Sequence, residues 1–112
     1  MTCAWVAAGL ARWYPGPMTA TRAGVLIAFE GIDGAGKSTQ VDALVGLLER
    51  EGIPLVRTRE PTDGPWGRKI RQSAREGRMS PEDEASAFIE DRKQHVAELI
   101  APALEAGKVV II

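Results

Sequence analysis

One stretch of sequence decides the fold of this chain, Gly31-Ile32-Asp33-Gly34-Ala35-Gly36-Lys37-Ser38-Thr39. It matches the Walker A pattern, Gly-x-x-x-x-Gly-Lys-Ser/Thr, at every fixed position. Glycines let the backbone curl until successive N–H groups point inward at phosphate oxygens. The lysine then reaches the β- and γ-phosphates, and the Ser38 hydroxyl ligates Mg²⁺. The stretch therefore predicts a loop that holds a nucleotide and Mg²⁺, with Gly31–Thr39 as its contact residues. By itself it does not choose between a kinase, a switch GTPase, an ATPase motor and a protein that simply binds nucleotide.

The flanking sequence places this loop between a strand and a helix. Before it, Val25–Phe29 is an uninterrupted apolar run, as expected for a strand covered on both faces in a parallel sheet. Gly52 stands where a helix would end, and between the loop and Gly52 apolar residues recur at helical spacing at Val41, Leu44, Val45 and Leu48. A helix that begins at the loop presents its positive end to the same phosphates.

The remaining sequence alternates between strands and helices. Ile53–Thr58 predicts a second strand, and Val109–Ile112 predicts a third strand that is buried in a parallel sheet. Prolines and glycines predict a loop over Arg59–Gly67, and a short helix is expected over Arg68–Arg75. This order of strands and helices predicts an α/β domain.

A long helix is predicted to begin at Ser80, because Pro81 and three acidic residues follow it. Pro102 should kink or restart this helix, and Gly107 should end it. We expect its buried face to be the stripe formed by Ala85, Phe88, Ile89, Arg92, Val96, Leu99 and Ile100.

Phe88 and Arg92 lie four residues apart and so share one face of this helix. A ring beside a guanidinium suits a planar, polar ligand, since the ring can stack and the guanidinium donates paired hydrogen bonds. Taken alone, the pair favours the plainer interpretation that Phe88 belongs to the core and Arg92 extends to the surface.

Three other positions stay open on residue chemistry alone. Asp33 either points away from the phosphates towards a second ligand or only tightens the turn through its own backbone. Arg71 either binds a ligand or shares a solvated face with neighbouring basic residues. His95 is expected at the surface or in a structural role, and the charged run Glu90–Lys93 is expected to be solvated.

Composition excludes several classes of protein. The 112 residues carry 14 basic and 15 acidic side chains, a net charge of -1, which gives no electrostatic case for nucleic-acid or membrane binding. One cysteine and one histidine exclude an internal disulfide and a structural zinc site. These features predict a single cytoplasmic domain.

The first 24 residues differ from the rest, because they hold half of the six aromatic residues and only two charged ones. No basic residue precedes the apolar run Cys3–Ala11, which argues against a signal peptide. We interpret residues 1–24 as an irregular extension, or as sequence upstream of a start at Met18, and residues 25–112 as the domain.

Three segments together resemble the thymidylate kinase family, from about Val25 to Ile112. They are the phosphate loop with its flanks (Phe29–Gln40), Thr58-Arg59-Glu60-Pro61, and Asp91-Arg92-Lys93-Gln94-His95-Val96. Their order and spacing are far more specific than the Walker A pattern by itself. The resemblance implies a three-layer P-loop NTPase fold with a parallel sheet, of which this chain supplies three of the family's five strands.

The resemblance also implies roles for individual residues. Asp33 would face the deoxyribose hydroxyl of dTMP and help to organise the magnesium shell. Glu60 would line the dTMP site and Arg71 would contact the dTMP phosphate. Phe88 would stack on the thymine ring, and Arg92 would bind its edge.

The implied reaction is phosphoryl transfer from ATP to dTMP, with Mg²⁺ as cofactor, Lys37 and Asp33 as the catalytic residues and Ser38 as the metal ligand. The implied partners are small molecules only, and family members are usually homodimers. The same residues leave two alternatives open: a kinase for another nucleoside monophosphate, and a non-catalytic fragment that binds nucleotide.

Two departures from the family pattern stand out. The family usually continues from Arg-Glu-Pro with Gly-Gly-Thr, whereas this chain has Thr62-Asp63-Gly64. The family also continues beyond its third strand into an Asp-Arg-Tyr or Asp-Arg-Ser element and a lid, which these 112 residues lack. We therefore expect the chain alone to leave one edge of its first strand unpaired, to be marginally folded and to be inactive as a kinase.

Overall fold

A three-stranded parallel sheet organises the computed structural model, which describes residues 23–112. Its strands are β1 (Val25–Ile27), β2 (Leu55–Arg57) and β3 (Val109–Ile111), in the spatial order β1-β3-β2. Val109 pairs with Val25 on one side and with Leu55 on the other. The predicted extension at residues 1–24 falls, except for its last two residues, outside the described part of the chain.

Four α-helices and one π-helical turn connect the strands. They are α1 (Lys37–Arg50), α2 (Pro65–Glu76), α3 (Pro81–His95), the π turn (Val96–Ile100) and α4 (Ala101–Glu105). Ser80 caps α3 as predicted, since its hydroxyl accepts the Asp83 N–H at 3.1 Å. The π turn ends at Ile100 and a new α-helix begins at Ala101, one residue before Pro102, which confirms the expected restart there. Within residues 23–112 no helix is long and apolar enough to span a membrane.

The core consists of two layers, one on each face of β3. Val109 and Ile111 point to one face and pack with Val41 and Leu48 of α1. Val110 points to the other face and packs with Ile100 and Ala103. Because side chains alternate along a strand, β3 is buried on both faces as its sequence predicts, and the α/β fold class is confirmed.

The prediction that β1 is covered on both faces is wrong for the described residues. Val25 is 38% exposed and Leu26 is 48% exposed. Both lie on a strand that is hydrogen-bonded to β3 alone among the strands described. The apolar run therefore predicted the position of the strand correctly, but it did not predict how much of the strand is buried. Burial depends on neighbouring elements, which a local sequence pattern does not contain.

The buried face predicted for α3 is also wrong. The buried residues of α3 are Ala87, Asp91 and His95. Of the predicted stripe, Ile100 in the π turn is buried as predicted, and the other members are exposed: Ala85, Phe88, Ile89, Arg92, Val96 and Leu99. The physical reason is that α3 packs against α2 and against a polar loop, residues 58–64, which we name the acceptor loop. Polar side chains on α3 make hydrogen bonds to polar groups of that loop. The spacing of hydrophobic residues therefore does not indicate which face of α3 is covered.

The region before α2 differs from its prediction by a few residues. The expected loop over Arg59–Gly67 ends at Gly64, and α2 begins at Pro65. Gly67 lies on the buried side of α2, where an added Cβ would stand 1.9 Å from the Thr62 carbonyl oxygen. This glycine therefore permits close contact between helix and loop rather than a turn.

Candidate functional site

An open cleft of about 1290 Å³ lies at the carboxyl ends of the three strands. Phe29, Thr58 and Ile112, which follow β1, β2 and β3, all line it. The carboxyl edge of a parallel sheet is the usual place for ligands in α/β proteins. Lys37 of α1 and Arg92 of α3 also line the cleft, so it joins the phosphate loop to the long helix.

The phosphate loop adopts the tight, glycine-dependent path that its sequence predicts. Gly34 and Gly36 have positive φ angles of 80° and 87°, which L side chains rarely adopt. Gly36 is the N-cap of α1 and provides no side-chain hydrogen bond to the first N–H groups of the helix. The lysine ammonium of Lys37 bends back to the carbonyl of Gly31.

These features fit a bound polyphosphate. The first N–H groups of a helix have no intrahelical acceptor, and the N-cap of α1, Gly36, has no side chain that could accept from them. Ser38 and Thr39 are exposed in the first turn of α1. In residues 23–112 no group of three or more His, Cys, Asp or Glu side chains is placed to hold a metal ion by itself. A cation here would be held jointly with phosphate oxygens.

Asp33 is exposed and extends from the tip of the loop. None of the residues that the structure describes donates a hydrogen bond to its carboxylate. Its side chain therefore does not tighten the turn by bonding its own backbone, which was the plainer of the two sequence interpretations.

A buried carboxylate of α3 anchors the acceptor loop. Asp91 is 1% exposed and accepts two hydrogen bonds from Thr62, from the backbone N–H at 2.8 Å and from the hydroxyl at 2.6 Å. The expectation that the charged run Glu90–Lys93 is solvated is therefore wrong at Asp91. A carboxylate with two donors is a stable way to bury a charge beside a loop whose backbone would otherwise lack partners.

His95 connects the same helix to both ends of the loop's Thr58–Glu60 segment. Its Nδ1 lies 2.9 Å from Glu60 Oε1, and its Nε2 lies 2.7 Å from the Thr58 hydroxyl. A carboxylate can only accept, so Nδ1 carries the proton and donates to Glu60. Since His95 is 5% exposed, the structural half of its sequence expectation holds and the surface half does not.

Glu60 is shared between His95 and Arg92. Its second oxygen, Oε2, accepts a hydrogen bond from Arg92 Nε at 2.9 Å and another from the same guanidinium. Burial raises the pKa of Glu60, but the hydrogen bonds and charges of Arg92 and His95 outweigh burial and hold this pKa below its ordinary value of 4.5. The carboxylate is therefore ionised throughout the neutral range.

The lowered pKa of Glu60 predicts a pH dependence of stability. A carboxyl whose pKa is lower in the folded state contributes stability above its unfolded pKa, and this contribution disappears as the pH falls below 4.5. We expect wild type to lose about 1 kcal/mol more than Glu60→Gln between neutral pH and about pH 3, because glutamine does not titrate. Urea denaturation over a pH series measures the difference, and parallel curves for the two proteins would contradict it.

Arg71 is fixed on the side of the loop that faces α2. Its guanidinium donates to the carbonyl oxygens of Pro61 at 2.8 Å and Thr62 at 2.6 Å, and to Asp63 Oδ1 at 2.9 Å. Its neighbours Arg68, Lys69 and Arg75 are exposed. Arg71 therefore does not belong to a merely solvated basic face.

The structure brings together some of the candidate residues and leaves others apart. Lys37, Ser38, Glu60 and Arg92 line one cleft. Asp33, Arg71 and Phe88 are not part of its lining, although Arg71 contacts the loop that is. Phe88 is 41% exposed, so the interpretation that it belongs to the core is wrong for the described residues.

Sequence reasoning assigned no ligand-site role to Asp91, His95 or Thr62, the residues that hold the acceptor loop. One signal was available. Ala87, Asp91 and His95 recur every four residues, which places them on one helical face with a small residue at its start. Two polar residues on the same face as a small one indicate a helix that packs closely against polar atoms.

Comparison with protein families gives a match to the thymidylate kinase family model over residues 29–112. A thymidylate kinase of Xanthomonas campestris pv. campestris (strain B100) is 53% identical over 92 residues, which are 82% of this chain and 40% of that protein. A thymidylate kinase of Xylella fastidiosa (strain M12) is 51% identical over 89 residues, 80% of this chain and 41% of the relative.

Among solved structures, the crystal structure of thymidylate kinase from Ehrlichia chaffeensis superposes with a TM-score of 0.68 at 35% sequence identity. The superposition covers 80% of this chain and 52% of that one. The chain therefore spans about 40% of the length of the curated relatives that it matches, and about half of the solved structure.

Proposed function

The chain belongs to the thymidylate kinase family, and from this premise we propose that the protein transfers the γ-phosphoryl group of ATP to dTMP, giving ADP and dTDP. The observation that carries the proposal is the cleft itself. Lys37 of the phosphate loop and the Glu60–Arg92 pair line the same space, so a phosphate donor and a base-bearing acceptor would meet there.

We assign ATP to the phosphate-loop side of the cleft. The free N–H groups at the start of α1 and the Lys37 ammonium are the donors for its phosphates. Lys37 would exchange the Gly31 carbonyl for a phosphate oxygen on binding. Mg²⁺, when bound with the nucleotide, neutralises phosphate charge, and the Ser38 hydroxyl is the side chain placed to ligate it.

We assign dTMP to the side formed by the acceptor loop and α3. Arg92 presents its remaining guanidinium donors to the edge of a base, while Glu60, itself hydrogen-bonded to His95, holds the guanidinium in place. Phe88, one turn earlier on α3, is exposed and available to stack on the ring. Arg71 supplies positive charge for the monophosphate, and Asp33 faces the sugar.

The residues of this chain would act mainly by positioning. In phosphoryl transfer the protein has little covalent chemistry to perform, so the rate depends on aligning donor and acceptor and on neutralising charge. Lys37 supplies charge at the transferred group, and the α3 residues fix the acceptor. Location in the cytoplasm and assembly of the whole protein as a homodimer belong to the same proposal.

A panel of nucleoside monophosphates tests the proposal directly. The protein is expressed as its gene encodes it, and ADP release is measured with ATP and dTMP, dUMP, dCMP, dAMP or dGMP. We expect kcat/KM to be highest for dTMP. A preference for another monophosphate would identify a related kinase, and tight ATP binding with no transfer to any acceptor would identify a nucleotide-binding protein without kinase activity.

Phe88→Ala tests the assignment of the base site. Loss of a stacking ring costs about 1–3 kcal/mol per base, so we expect KM for dTMP to rise about tenfold while KM for ATP stays unchanged. Because Phe88 is 41% exposed, its removal should leave the melting temperature nearly unaltered. Ile89→Ala, at the next and more exposed position, is the matched control and should change neither constant. An unchanged KM for dTMP in Phe88→Ala would refute the stacking role.

A further inference from the structure

Two arginines converge on a single carboxylate oxygen at the rim of the cleft. Arg59 Nη2 lies 3.1 Å from Asp63 Oδ1, and Arg71 Nη2 lies 2.9 Å from the same atom. Arg59 and Asp63 also line the cleft. Two guanidinium groups around one anionic oxygen form an anion-binding arrangement, and here the protein's own side chain fills it.

The two sides of this arrangement are held very differently. Arg71 is 31% exposed and is fixed by its hydrogen bonds to the Pro61 and Thr62 carbonyls. Asp63 is 77% exposed, and its contacts within the described part of the chain are the two arginines. The guanidinium is therefore a fixed donor, whereas the carboxylate is an acceptor that can turn away into solvent.

The ion pairs that hold Asp63 are weak enough to be exchanged. Exposed ion pairs of this kind contribute little to stability, because water solvates both partners well. A phosphate oxygen makes the same charge-assisted hydrogen bonds as a carboxylate oxygen and carries more negative charge. A phosphate that enters the rim of the cleft can therefore take the place of Asp63.

We propose that Asp63 is an internal competitor for the phosphate group of the acceptor substrate and thereby sets the affinity of the protein for that substrate. The inference rests on the proposed function, in which Arg71 receives the dTMP phosphate.

Binding measurements on Asp63→Asn test the inference. The amide keeps the size of the side chain but removes its charge, so both the competition and the repulsion of phosphate are weakened. We expect calorimetric titration to show dTMP and inorganic phosphate binding about three- to tenfold more tightly than to wild type. Thymidine, which has no phosphate, should bind with unchanged affinity.

Glu76→Gln is the matched control. It removes the same single charge from another surface ion pair, that with Arg78, at the opposite end of α2. It should leave all three affinities unchanged, which separates a local effect of Asp63 from a change in net charge.

The outcomes distinguish the inference from the proposed function. If wild type binds dTMP and Asp63→Asn binds both phosphate-bearing probes no more tightly, or gains equally for thymidine, the competitor role is overturned and the function stands. If neither wild type nor Asp63→Asn binds dTMP but Asp63→Asn binds inorganic phosphate more tightly, Asp63 competes with phosphate at this rim, and the assignment of dTMP as the ligand, with the proposed function, is overturned.

Discussion

Lys37→Ala is expected to reduce kcat/KM for ATP by about 10²- to 10³-fold, the usual consequence of removing a charge that stabilises a transition state. The ammonium is the side-chain cation of the phosphate loop, and its contact in this structure is the Gly31 carbonyl. ATP affinity should fall by at least about tenfold, since ground-state phosphates lose the same partner. Stability should change little, because that contact is exposed.

Lys108→Ala is the matched control for this effect. Lys108 precedes β3 and so lies at the amino edge of the sheet, away from the cleft. Its removal changes the net charge by the same amount and should leave kcat/KM within about twofold. Equal activities of Lys37→Ala and wild type would show that Lys37 of the phosphate loop takes no part in catalysis, whichever substrate accepts the phosphoryl group.

Asp91→Ala is expected to lower the free energy of unfolding by about 2–3 kcal/mol. Asp91 is 1% exposed, and its removal leaves both the N–H and the hydroxyl of Thr62 without their acceptor. Asp91→Asn retains one acceptor oxygen and should lose about half as much. Urea denaturation monitored by circular dichroism measures all three proteins.

Asp42→Ala serves as the control for Asp91. Asp42 is a carboxylate of the same type, but its side chain is 62% exposed in a surface pair with Arg57. Its replacement should cost less than about 1 kcal/mol. If Asp91→Ala costs no more than Asp42→Ala, the acceptor loop is held mainly by contacts other than the Thr62–Asp91 pair.

The strands and helices could be predicted closely from the sequence where local rules determine them. Ser80 with Pro81 defines the start of α3, and the apolar run Val109–Ile112 predicts β3 as a strand buried on both faces. The phosphate loop could be predicted as well, because its glycines, lysine and serine have fixed spacing and a strand and a helix on either side.

The covered face of α3 could not be predicted in this way. Periodicity indicates a helix face by its apolar residues, but Asp91 and His95 are buried because the neighbouring loop is polar. The loop residues are far from their partners in sequence. Thr62 is 29 residues from Asp91, and Thr58 is 37 residues from His95. A local pattern cannot contain such a pairing, and the same limit applies to the exposed faces of β1.

Some residues of the candidate site could be predicted from residue types, whereas others depend on contacts between residues distant in sequence. Lys37 and Ser38 were identified by their motif, and Arg92 was singled out by its unusual position beside Phe88. The pairing of Arg92 with Glu60 and the convergence of two arginines on Asp63 depend on three-dimensional proximity. From the sequence, the convergence on Asp63 could be anticipated only as one added negative charge after Arg59-Glu60-Pro61.

The network between α3 and the acceptor loop has a consequence for the thermodynamics of ligand association. Thr58, Glu60 and Thr62 are each hydrogen-bonded to side chains of α3, so the protein's own contacts fix this loop. Fixing a loop backbone costs about 1–2 kcal/mol of conformational entropy per residue, and in this protein that loss occurs during folding. A ligand that enters the cleft therefore meets a preorganised wall, and more of its contact energy remains available as affinity.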